Sequence, residues 1–122
     1  MNLWEETIEK LQRNGYTFND VIAIYGKDFQ ITKENFEEIA KETDYYDGYG
    51  AQKVAKDLTI LGTDFIMTRG EYDGSEWWKL IWIPDISSLN KKIKKVNMLA
   101  TPRIGWETLN DINFVRGVNW WR

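Results

Sequence analysis

The sequence predicts an α+β domain: about five mainly antiparallel strands with two or three helices packed on one face. Three observations point there. At 122 residues the chain suits one domain that buries a core without disulfide or metal staples. Its residues are 43% hydrophobic and 29% charged, the balance of a folded chain rather than a disordered one. Apolar positions also change period, from helical spacing near the N-terminus to alternation toward the middle. The expected organisation is a single domain over residues 1–122, with an α+β body at 1–90. A basic, Trp-containing segment at 91–122 is expected to pack on that body.

"NLWEETIEKLQRNG" sets Leu3, Trp4, Ile8 and Leu11 on one helical stripe, and Asn14-Gly15 supplies a left-handed stop. "DVIAIYGKDFQI" holds two short apolar runs around Gly26-Lys27, a tight hairpin. "TKENFEEIAKET" opens on a capping Thr32 and aligns Phe36, Ile39 and Ala40, a second helix. "DYYDGYGAQKVAKD" is a turn-rich loop, with a helical turn expected at residues 51–56. "LTILG", "FIMTR" and "WWKLIWI" follow as three strands. The first two are joined tightly at Gly62-Thr63-Asp64, and the third is reached by a longer connection, "GEYDGS". Pro84 closes the series. In the last strand Trp78, Leu80 and Trp82 share one face, expected in the core, with Trp77, Lys79, Ile81 and Ile83 on the other. Because both faces are largely apolar, the strand is expected at the centre of the sheet. Beyond it an irregular, partly helical tail is expected.

Composition narrows the chemistry. The chain has no Cys and no His, which removes disulfides, thiolate metal sites, cysteine nucleophiles and the usual general base near neutral pH. "MNLWEETIEK" is acidic and amphipathic where a secretory signal is basic and then apolar. The longest apolar stretch is far short of a membrane span. A cytoplasmic protein without a membrane role is expected. Residues 1–76 carry 8 Lys and Arg against 16 Asp and Glu, and residues 77–122 carry 8 against 3. That net −8 and +5 implies two partner surfaces, one interface of both signs, or halves that neutralise each other.

Two loops echo each other, "DYYDGYG" at 44–50 and "EYDGSE" at 71–76. Each joins an acid, a Tyr and Asp-Gly. One reading is a pair of rigid loop closures. The other gathers Asp44, Asp47, Asp73 and Glu76 into an acidic, Tyr-rimmed patch. The loops lack the alternating ligands of a calcium loop, so no metal and no cofactor are expected. Glu76 and Lys79 distantly resemble a nuclease acid–lysine pair, but "EWWK" sets them on opposite strand faces. No carboxylate pair of defined separation, phosphate loop or nucleophile elbow is present. "KKIKKVNM", with Trp120 and Trp121 further on, offers phosphate and base contacts. A pI near 5.0 argues against a general nucleic-acid binder.

The stretches "DVIAIYGKDFQITKENF", "DYYDGYGAQKVAKDLTILG" and above all "EYDGSEWWKL" resemble a family of small, largely uncharacterised phage and prophage proteins of Gram-positive bacteria. The likeness runs from about Asp20 to Pro84. Members carry a Trp-rich strand ahead of the motif, where this chain has "DFIMTRG". The resemblance implies an accessory or counter-defence factor, such as an anti-CRISPR-type inhibitor in the bacterial host's cytoplasm. The expected function is therefore non-catalytic, stoichiometric binding and inhibition of a host or defence protein. The expected contact residues are Asp44, Tyr45, Asp47, Tyr49, Tyr72, Asp73, Glu76 and Trp77. Lys91, Lys92, Lys94 and Lys95 are a second contact. The alternatives are a small-molecule or nucleotide-binding module and, third, a carboxylate-dependent nuclease.

Overall fold

Helix α1 spans Leu3–Arg13 because Asn2 caps it, its side chain accepting the Glu5 N–H at 3.1 Å, and Leu3, Thr7 and Leu11 turn one stripe inward. A 3₁₀ turn at Phe18–Asp20 leads into strand β1, Val21–Tyr25. Strand β2, Gln30–Ile31, returns antiparallel through the Gly26–Phe29 loop, which the Gly26 N–H closes on the Phe29 carbonyl at 2.8 Å. Helix α2, Lys33–Lys41, starts at the expected Thr32 cap and buries Phe36 and Ala40, leaving Ile39 exposed. Residues 51–56 form bends and turns rather than the expected helical turn. Strands β3 (Thr59–Gly62), β4 (Phe65–Tyr72) and β5 (Ser75–Trp82) complete an antiparallel sheet ordered β2-β1-β3-β4-β5. These elements come from a computed structural model, which describes residues 1–46, 50–85 and 93–114.

Two expectations about the hairpin β4–β5 are corrected. Its connection is short: β4 runs on to Tyr72, which pairs with Ser75 across Asp73-Gly74. Both turn residues have positive φ, 51° and 86°, as a two-residue turn matched to sheet twist requires, and Asp-Gly accepts that conformation. Strand β5 lies at the sheet edge, not its centre. Apolar residues on both faces do not distinguish a central strand from an edge whose outer face is left for something else.

The core lies on one face of the sheet. Ile24, Ile60, Phe65, Met67 and Trp78 meet Leu3 and Leu11 of α1 and Phe36 and Ala40 of α2. Trp78 is 1% exposed, and its indole N–H donates to Thr7 Oγ1 at 2.9 Å. Leu80 packs partly against this cluster. Trp82 shares their parity but is 59% exposed, a further correction: parity fixes the side of the strand a residue takes, not whether another element covers it there.

The chain divides into two compact units, Met1–Asp85 and Ile86–Arg122. In the second, helix α3 (Leu109–Asn113) is capped by Thr108. The Asn113 side chain accepts the Asn97 and Met98 N–H groups and donates to the Met98 carbonyl. Arg103 and Glu107 form an ion pair at 2.6 Å. Trp120 and Trp121 lie outside the described residues.

Candidate functional site

Alternation along β4 puts Arg69 on the same side as Phe65 and Met67, inside the fold. An arginine there must find partners, because an unpaired buried charge is strongly unfavourable. It finds three. Nη1 donates to Glu6 Oε2 at 3.3 Å, and Nη2 donates to Glu76 Oε1 and to the Tyr45 hydroxyl, each at 3.0 Å. The guanidinium also lies 4.8 Å from the Trp78 ring centroid. Its Nε is buried with no partner among the described residues. The side chains of Arg69, Glu76 and Glu6 are only 5%, 3% and 12% exposed.

Glu76 does more than neutralise Arg69. Its carboxylate accepts the backbone N–H of Lys53 at 2.6 Å and of Val54 at 3.1 Å, tying the long loop between α2 and β3 onto β5. Gln52 adds a second tie, donating to Glu71 at 3.0 Å. Tyr45 donates its hydroxyl proton to Glu6, and the N-terminal ammonium donates to the Tyr45 carbonyl at 2.9 Å. One cluster thus joins α1, the loop after α2, β4 and β5.

The protonation states follow from these contacts. Burial alone would raise the Glu76 pKa, but the Lys53 N–H, the Arg69 guanidinium and the Val54 N–H more than offset it and hold it below the ordinary value. Burial and the Glu6 carboxylate push the Tyr45 phenol well above its usual range despite the opposing pull of Arg69. Burial works against the charge on Arg69, yet Glu6, Tyr45 and Glu76 raise its pKa. Glu76 therefore stays a carboxylate and Tyr45 a phenol around neutral pH, away from the range that suits proton transfer.

The expected contact residues separate accordingly. Tyr45 and Glu76 come together on Arg69, Glu76 buried and Tyr45 half-buried, with the carboxylate and the hydroxyl both taken up by hydrogen bonds within the fold. Asp44 bridges to Asn2, whose side-chain amide donates to it at 2.9 Å. Tyr72 is exposed at the end of β4, Asp73 occupies the hairpin turn, and Trp77 is 39% exposed on the outer face of β5. Asp47, Tyr49, Lys91 and Lys92 lie outside the described residues. Lys94 sits 4.8 Å from the Phe114 ring centroid, and Lys95 is exposed. Glu76 is buried and Lys79 exposed, on opposite faces as their spacing requires.

Sequence reasoning missed Arg69 and Glu6. The signal was present: Arg69 keeps the Phe65–Met67 parity, so extending that strand by one step places a cation in the core. Among the described residues no group of three or more acidic side chains is arranged to hold a metal ion, and no helix is long and apolar enough to cross a membrane.

The opposite face of the sheet bears a different set. Ala23, Leu61, Ile66 and Ile81 stand in register across β1, β3, β4 and β5, the first three half-buried and Ile81 55% exposed. Trp77 and Lys79 lean over Gly70 of β4, where an added Cβ would meet the Lys79 stem at 2.8 Å. A cleft of about 290 Å³ lies between α1 and β5, lined by Glu6, Glu9, Lys10, Arg13, Trp77 and Trp78 among others. Comparison with protein-family models, curated proteins and solved structures finds no match to this chain.

Proposed function

We propose that the protein is a non-catalytic binding protein that inhibits a host or defence protein stoichiometrically, in the manner of a phage counter-defence factor of the anti-CRISPR type. The phage setting comes from the sequence resemblance alone. The binding reading is supported chiefly by the outer sheet face, where an in-register apolar row ends on exposed Ile81, with Trp77 further along the same face of β5 beyond Lys79. Exposed aromatic and aliphatic groups clustered on one face are the material of binding hot spots. The strongest ionisable cluster favours the same reading, since its carboxylates and guanidinium are taken up holding secondary structure together.

The test has two stages. The protein is used to capture proteins from a bacterial host, and the activity of the captured protein is then titrated with it. The expected result is activity lost in proportion to a one-to-one complex, with Trp77→Ala and Asp73→Ala each weakening capture by more than about 1 kcal/mol while leaving the fold intact. Inhibition by trace amounts would indicate turnover, and a captured protein indifferent to titration would remove the inhibitor reading.

A further inference from the structure

Strand β5 has hydrogen-bonding capacity that the sheet does not use. The Ile83 N–H donates to the Asp64 carbonyl at 2.7 Å, and β4 and β5 stay in register from there to the turn. In an antiparallel pair alternate residues exchange these bonds, so Lys79 and Ile81 face β4. Trp78, Leu80 and Trp82 then direct their N–H and C=O groups away from the sheet. Among the described residues no strand pairs with that edge.

The surroundings of the edge choose an occupant. On one side lies the cleft beneath α1, and each carboxylate lining it is already engaged, Glu9 by Arg13 and Glu6 and Glu76 by Arg69. Lys10 in the same cleft, and Lys79 between Trp77 and Ile81 on the other side, have no ion-pair partner among the described residues. An edge bracketed by two such cations accepts negative charge. It also resists a second copy of itself, because the antiparallel register that sets Trp77 against Ile81 puts Lys79 opposite Lys79, and directly opposed like charges are destabilising.

We infer that the free edge of β5 takes an extended acidic segment of a partner protein as an added strand, with an acid opposite Lys79 and apolar residues against Trp77 and Ile81. Main-chain bonds to Trp78, Leu80 and Trp82 supply affinity, and the alternating side chains supply selectivity. The inference rests on the binding reading above and names the kind of partner and where it docks.

The experiment uses the full chain and two blocked peptides, Thr-Val-Thr-Glu-Thr-Val-Thr and its twin with Lys replacing Glu. Affinities are measured by fluorescence anisotropy, and amide hydrogen exchange is followed by NMR. The Glu peptide should bind roughly fivefold or more tighter than its twin, because an opposite-charge cross-strand pair replaces a like-charge one. The amides of Trp78, Leu80 and Trp82 should gain protection. Lys79→Glu should invert the preference, and Lys79→Gln should abolish it without inversion; both change an exposed side chain. Equal affinities, no binding, or protection confined to other strands would overturn the inference. So would protection of the same three amides by dimerisation at high protein concentration without peptide. The two readings fail separately. A captured inhibitor target indifferent to Lys79→Glu removes the edge site and leaves inhibition standing, whereas edge binding of the Glu peptide without any inhibited target does the reverse.

Discussion

Beneath α1 the hairpin β4–β5 buries an arginine and two carboxylates, whereas its solvent-facing side carries Trp77 and Ile81 with a single lysine between them. Phe65, Met67 and Trp78 fill the rest of the buried side, so the usual division of residue types is reversed only locally, at the ion cluster within and at Trp77 and Ile81 without. The difference teaches what each face is for. Buried charges are a poor source of net stability but penalise every arrangement that separates them. Glu6, Arg69 and Glu76 therefore act to hold α1, the loop at Lys53–Val54 and β5 in one registration. The apolar outer face adds little to that registration, and its exposure makes sense if something else covers it.

The sharpest way to break this comparison is to remove the shared cation. Arg69→Met leaves Glu6 and Glu76 buried without their partner, and chemical denaturation should show a loss of about 3–5 kcal/mol. Adding Glu6→Gln and Glu76→Gln to that variant should recover part of the loss. A single substitution without effect would mean that the cluster does not set the registration.

Trp78→Ala should cost a similar amount, about 3–5 kcal/mol, by opening a cavity and leaving the Thr7 hydroxyl oxygen without the indole N–H it accepts. Its neighbour on the opposite face gives the contrast. Trp77→Ala should change the melting temperature far less while reducing binding, which thermal melts and capture assays on the same pair of variants would show.

Acid should affect the buried face selectively. The pKa of Glu76 is lowered in the folded state, so its contribution to stability is present above the unfolded carboxylate value of about 4.3 and is lost as pH falls through the lower folded value. Denaturation midpoints should drop in that range, with amide exchange at Lys53 and Val54 accelerating first. Glu76→Gln should flatten this part of the profile.

The smallest effect belongs to Trp82. Although it shares the parity of Trp78, its 59% exposure places Trp82→Ala within about 1 kcal/mol of the parent, as for most surface positions. A loss comparable to that of Trp78→Ala would show the two ends of β5 to be equally buried.

Much of the molecule was legible in the residues alone. The cap at Thr32, the stripe of Leu3, Trp4, Ile8 and Leu11 and the alternation in β3–β5 are local signals. They follow from helix and strand geometry whatever the rest of the chain does. The parity of Trp77 against Trp78 was readable for the same reason. By itself the sequence determined the α+β class, the hairpins and which side chains share a face. Only tertiary structure decided that β5 is an edge, that Trp82 is left exposed, and that Glu76 turns inward to Arg69 and the Lys53–Val54 amides. Those outcomes depend on which strand pairs with which and on what packs over each position. Glu6, Tyr45, Arg69 and Glu76 come from separate parts of the chain, and no local pattern encodes the distances between them. Their meeting follows from the unfavourable free energy of leaving any one buried alone.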